Sequence, residues 1–362
     1  MSSEQLSVLP PEWIKAADPR TGREVWQVSS TDEWSTATYF EHQSFTSDER
    51  YYVFRSTRDG ASSLWRCDLQ SGELALLTPG ETIGIHHFSM HPDGRRCFYS
   101  NGSTLRSVDV ASGERHTQAD FAALGAGASP MGLSMSADGQ RIAAGVANPM
   151  GMLMVVLDLP QQRLTPVLQW YRFSHPLICP ADKDLLTFIP SDDACWKMDW
   201  PQHLRTRTWS VRVDEGLPRR FITPPPGRTV THETWSPDGE RMIYFEKAGA
   251  AWTPVKIRSV NRFGEDLQTH FETADYRLGH GVLSFDQRYF LSDVQNRGDS
   301  PLLRIEMQSG KAEILCWPDA SNDGGHAACA HVHAAFSPKA NYATFTTDKS
   351  GRPRAYVLPL RG

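Results

Sequence analysis

Four histidines carry the pattern richest in chemistry. His331 and His333 stand two residues apart in Ala327-Ala-Cys-Ala-His-Val-His-Ala-Ala-Phe-Ser-Pro338. On a strand, side chains at i and i+2 share a face, so this pair would form half of a metal site. His280, in Leu278-Gly-His-Gly-Val-Leu-Ser-Phe-Asp286, and His232, in Val230-Thr-His-Glu-Thr-Trp-Ser-Pro-Asp-Gly239, each precede an Asp-bearing turn, and the pair precedes the related Phe-Ser-Pro. Neutral imidazole nitrogen binds Mn, Fe, Ni, Cu or Zn, and three histidines leave positions open for a substrate carboxylate. Singly, each histidine fits a satisfied core or surface role as well. Their equivalent placement is what points to a site. Arg207, in Thr206-Arg-Thr-Trp-Ser-Val211, and His175, in Ser174-His-Pro-Leu177, are candidates for the same rim. A guanidinium grips a carboxylate through two parallel hydrogen bonds and stays charged at every working pH.

Those residues must be positioned by strands. A turn signature recurs seven times: Ser44-Phe-Thr-Ser-Asp48, Ser89-Met-His-Pro-Asp-Gly94, Ser134-Met-Ser-Ala-Asp-Gly139, Ile178-Cys-Pro-Ala-Asp182, Trp235-Ser-Pro-Asp-Gly239, Ser284-Phe-Asp286 and Phe336-Ser-Pro-Lys339. Between Asp48, Asp93, Asp138, Asp182, Asp238 and Asp286 the spacings are 45, 45, 44, 56 and 48 residues, within the reach of a propeller period. After the first signature come Tyr51-Tyr-Val-Phe-Arg-Ser56, Ser63-Leu-Trp-Arg-Cys-Asp-Leu69 and Leu74-Ala-Leu-Leu-Thr78, separated by Asp-Gly and Ser-Gly turns. A further strand leading into the next signature completes a four-stranded blade.

The expectation is an all-β chain, residues 1–362 forming a single seven-bladed β-propeller. Arg23-Glu-Val-Trp-Gln-Val28 reads as an orphan strand, so segment 19–30 is expected to complete the last blade and hide its edges. An open array or two smaller domains is the alternative. The strand before each signature is innermost, which would set His232, His280, His331 and His333 around the central channel from three neighbouring blades. The fourth copy carries a long insertion, 192–207, whose Trp196 and Trp200 favour an ordered, functional loop.

Composition narrows the function. A net charge of −5, from 37 basic and 42 acidic residues, argues against a general nucleic-acid binder. The N-terminal stretch lacks a signal-peptide pattern, and no apolar run approaches a membrane span, so a cytoplasmic protein with no membrane partner is expected. Six cysteines without CxxC spacing fit reduced thiols, with Cys329 the one near enough to His331 to be weighed as a ligand.

The stretches at His232, His280 and His331-Val-His333, with Thr346-Thr-Asp-Lys-Ser-Gly351, Arg58-Asp-Gly60, His175-Pro176 and Arg207-Thr-Trp209, resemble the oligogalacturonate lyase family in order over nearly the whole chain. The resemblance implies a seven-bladed propeller that cleaves pectin-derived oligouronides with a divalent metal, typically manganese. It implies His280, His331 and His333 as metal ligands, His232 as the base, and Arg207, with His175, as substrate contacts. The family's further ligand, a glutamine three residues before the paired histidines, is Ala328 here, which leaves that position to His326, water or substrate. The family's His-Pro-His-Pro is His-Val-His-Ala here, and the third copy lacks an insertion common in the family. Two other readings stay open. One is a diverged lyase with a changed uronide substrate or weakened activity. The other is a non-catalytic binding propeller; a peptidase-type propeller would need an α/β-hydrolase domain with Gly-x-Ser-x-Gly, and the chain has neither.

Overall fold

The structure, a computed structural model, describes residues 6–125, 127–190, 197, 199–248, 252–296, 299–322 and 331–361. Cys195, Trp196, His326, Ala328 and Cys329 lie outside the described residues. Among the described residues seven antiparallel sheets account for the strands, five with four strands and two with five. Among the described residues the helical segments are two 3-10 turns, Ala122–Leu124 and Gln202–Arg205.

The repeat is built on its turn. In the third copy the Ser136 hydroxyl donates to Asp138 Oδ1 at 2.6 Å and accepts from the Arg141 amide at 2.9 Å, while the Gln140 amide donates to the same Asp138 oxygen. Ser236 with Asp238 and Ser284 with Asp286 repeat these bonds, and Thr46 with Asp48 does the same in the first copy. Each side chain satisfies main-chain donors that the turn would otherwise orphan, which is why Ser-x-Asp recurs. The fourth turn residue takes a positive φ, hence the glycines. Gly94 and Gly239 need glycine twice over: a Cβ would stand 2.1 Å from the Ser47 side chain and 2.1 Å from the Ala181 nitrogen.

The seventh copy breaks the signature, with Lys339 where Asp is expected. Glu49, from the first copy, replaces that carboxylate. It accepts from Ser337 Oγ (2.5 Å), the Lys339 amide (2.6 Å) and Asn341 Nδ2 (2.6 Å).

The chain divides into two compact units, one of residues 1–101, 106–117 and 279–362, the other of 102–105 and 118–278. The first unit contains the sheet that joins the termini, ordered Ile14–Ala17, Glu24–Gln27, Arg354–Pro359, Tyr342–Thr347, Ala335–Phe336. Glu24–Gln27 pairs with the last strand through Trp26 opposite Val357 and Gln27 opposite Tyr356. The orphan strand therefore joins the last sheet as expected, and Ile14–Ala17, which the sequence did not reveal, adds an outer fifth strand. Leu291 and Leu302 of the preceding sheet bury their side chains with Phe345 and Leu358 of this one. In the second unit Met154 and Val156 do the same with Leu186 and Phe188 of the next sheet. The core therefore lies between successive sheets, which needs strands apolar on both faces. Cys67, Cys97, Cys179 and Cys316 are buried free thiols, as the absence of paired spacing led us to expect. Among the described residues no helix is long and apolar enough to cross a membrane.

Candidate metal centre

The turns give a common frame for the innermost strands. An amide at i+3 donates to the carbonyl of Thr46, His91, Ser136, Ser236, Ser284 and Ser337 alike. Four residues before each of these stands His42, His87, Gly132, His232, His280 and His333 respectively. His175 occupies the corresponding stretch of the fourth copy. One position thus carries histidine in most copies, a regularity that aligning the turns by their first residue makes visible.

The backbone there is unusual. Gly132, His175, His232 and His333 have φ of 64°, 51°, 55° and 46°, and strand register shifts between Met131 and Ser134, Ser174 and Leu177, and Thr231 and Thr234. A bulge with a left-handed residue re-aims a side chain, at a cost of order 1–3 kcal/mol for a residue with a Cβ. The paired histidines depart from the strand expected there. His331 and His333 do not converge as alternate residues of a strand, because the strand begins only at Ala335. Between them Val332 is fully buried in the core, and its carbonyl accepts from the Thr346 amide at 2.9 Å. The left-handed turn at His333 supplies the convergence instead.

In the first unit His280, His331 and His333 come together, each offering a ligand atom, with these atoms within 4.8 Å of one another. The His280 and His333 rings stand 4.3 Å apart, with His331 at 5.6 Å and 5.5 Å from them. His280 and His333 are 4% and 6% exposed, while His331 is half-buried. Burial, with the charges of His280, His331 and His86, drives the His333 pKa well below the ordinary imidazole range, so His333 is held neutral with a lone pair to give. Two nitrogens on one ion at about 2.1 Å lie at most about 4.2 Å apart. Small side-chain rotations bring this donor set onto a single ion, so the residues fit a divalent metal of the kind that accepts imidazole.

Asp293, 1% exposed and absent from the sequence-based candidates, sits beneath the triad. Its carboxylate takes the His280 Nδ1 contact at 3.0 Å and accepts from the His280 amide at 2.6 Å and the His333 amide at 3.3 Å. Burial opposes its charge, but the charge and hydrogen bonds of His280, with the charge of His331, hold its pKa below the usual carboxylate range. Tyr39 packs edge-on to His333 at 4.7 Å and tilted to His86 at 4.3 Å, and Phe40 covers His280 at 5.3 Å. None of these was singled out as a site residue: Tyr39, Phe40 and His86 lie outside the strands and far from His280 and His333 in sequence, and Asp293, on the strand next to that of His280, stands in no repeat signature.

His175, His232 and Arg207 belong to the second unit. His175 and His232 are half-buried, and the His232 ring meets Phe245 edge-on at 6.3 Å. Arg207 is buried. Its Nε donates to Glu233 Oε1 at 3.0 Å, and that oxygen also accepts from Thr208 Oγ1 at 2.8 Å. Glu233 follows His232 in the chain, so the signal for it stood in the Thr-His-Glu stretch and needed only the burial to be read. In the long insertion Trp200 is exposed.

No family model matches the chain. It is 23% identical over 385 residues to the oligogalacturonide lyase of Pectobacterium atrosepticum, covering 95% of each protein. To the oligogalacturonate lyase of Dickeya dadantii it is 22% identical over 392 residues, again with 95% of each covered. A solved structure of oligogalacturonate lyase in complex with manganese superposes with a TM-score of 0.85, covering 99% of this chain and 98% of that one at 21% identity. The chain resembles oligogalacturonate lyases in sequence and in fold. The fold is the seven-bladed β-propeller. The two likenesses together support a lyase, and the manganese of the solved structure supports a divalent metal.

Proposed function

We propose that the chain is a metal-dependent carbon–oxygen lyase that cleaves short uronate oligosaccharides, oligogalacturonides, by β-elimination. The observation that carries this reading is the convergence of His280, His331 and His333 with the carboxylate of Asp293 behind them, on a propeller like that of the lyases. The three imidazoles would hold a divalent ion, manganese by comparison with the solved lyase. When bound, the ion supplies positive charge to a uronate carboxylate and so acidifies the adjoining C5 proton.

The chain's own residues do the rest. His232, as a neutral imidazole, takes the C5 proton. The electron pair of that bond forms the C4–C5 double bond, and the bond from C4 to the glycosidic oxygen breaks. The departing oxygen takes a proton from water. Arg207 donates its Nε to Glu233, which fixes the plane of the guanidinium, and on this reading the positive charge so held meets a substrate carboxylate. His175 is a further substrate contact on the same reading.

Turnover of di- and trigalacturonate with manganese, followed by the ultraviolet absorbance of the unsaturated uronide, tests the proposal. Product should form in the wild type and be lost in His232→Ala by a factor of about 10²–10⁴. Absence of an unsaturated product from every uronide supplied with metal would sink it.

A further inference from the structure

We infer that Asp293 is the positioning residue of the metal centre: it holds His280 in the Nδ1–H tautomer and aims Nε2 at the ion, while tying the backbone of His333 to the same point. The inference rests on reading the triad as a metal site and adds a residue outside the ligand set.

An ionised carboxylate only accepts hydrogen bonds. In its 3.0 Å contact with Asp293 Oδ2 the His280 Nδ1 must therefore carry the proton, and in the neutral form that a metal ligand requires the lone pair is on Nε2. Both main-chain bonds point to the same group: the His280 amide donates to Oδ1 and the His333 amide to Oδ2. One carboxylate thereby fixes the side chain of one ligand and the backbone of two. The neighbouring residue is shaped to admit it. Gly279 lacks a Cβ, and one built there would stand 2.2 Å from Asp293 Oδ1 and 2.6 Å from Gln295 Cδ. Asp293 lies on Tyr289–Val294, the strand beside the Leu278–Leu283 strand that carries His280. A buried anion also offsets part of the charge that a divalent ion would bring among neutral imidazoles.

The test is manganese titration of metal-stripped wild type, Asp293→Asn and Asp293→Ala by calorimetry, with circular dichroism melts of the same metal-free samples. Loss of the carboxylate should weaken manganese binding by about 10- to 100-fold, with Asn, which keeps an acceptor, falling between Ala and wild type. A purely architectural Asp293 would lower the melting temperature and leave the affinity of the folded variant at the wild-type value, which overturns the inference. A second measurement needs no variant of Asp293. Metal-free wild type with ¹⁵N-labelled histidine, its His280 signals identified by their loss in His280→Gln, should show His280 as the Nδ1–H tautomer. A proton on Nε2 overturns the inference even where the Asp293 variants fail to fold. A wild type that takes up no manganese overturns the metal reading itself, whereas manganese bound equally by wild type and Asp293→Asn overturns the role of the carboxylate alone.

Discussion

Two buried carboxylates, one in each unit, face different partners. Asp293 meets an imidazole and two main-chain amides, while Glu233 meets a guanidinium and a hydroxyl. Both are almost fully excluded from solvent. The guanidinium of Arg207 is charged at every pH the protein meets, so Glu233 chiefly neutralises a buried charge. An imidazole has a choice of tautomer, so Asp293 can select which nitrogen is available as a ligand. Similar burial therefore supports different work, and the partner decides which.

Breaking the Arg207 pair should have the largest effect on folding. Glu233→Ala leaves a buried cation without its carboxylate and should cost about 3–5 kcal/mol, read from the denaturant midpoint, while manganese affinity stays at the wild-type value. A Glu233→Ala protein as stable as wild type would show that the pair contributes nothing net.

Metal linkage should separate the two regions next. Manganese at about 100 times its dissociation constant should stabilise wild type by about 2.7 kcal/mol. Arg207→Lys should keep that gain and His331→Ala should lose it, since only His331 lies in the donor set. Equal gains in all three proteins would place the ion elsewhere.

Glu49 supplies a third carboxylate with no place in the chemistry. Its three bonds to the seventh turn should make Glu49→Ala cost about 2 kcal/mol with no change in manganese affinity. A drop in affinity would mean that the seventh turn itself sets the position of His333.

The smallest effect belongs to the repeated turn aspartates. The Ser136 hydroxyl and then the Gln140 amide lower the Asp138 pKa from an ordinary 3.8 to about 2. A carboxyl lowered on folding stabilises above its unfolded value, so this contribution is present above about pH 4 and fades as pH falls through 2. Ser136→Ala should narrow that window and flatten the acid limb of stability between pH 4 and 2. An unchanged acid limb would remove the turn from the account of acid unfolding.

Local chemistry made much of this legible in advance. The Ser-x-Asp signature satisfies its own turn, so its spacing revealed seven repeats, and the place of His232, His280 and His333 before those turns marked them as equivalent. The histidines were found for a partly mistaken reason, since His331 and His333 converge through a left-handed residue and not through strand alternation. Arg207 was singled out by its type and by resemblance, but nothing in its own segment announced that Glu233 would take its Nε.

The repeat, the strand content, the joining of the N-terminal strand to the last sheet, and the histidines available for a metal are each written in contiguous residues whose turn and pairing chemistry is local. That Asp293 backs His280, that Glu49 repairs the seventh turn in place of its missing Asp, and that Ile14–Ala17 adds an outer strand emerges only once the chain is folded. Each of those depends on groups brought within hydrogen-bonding distance by strand pairing or by packing between sheets, and burial gives the resulting bonds their weight.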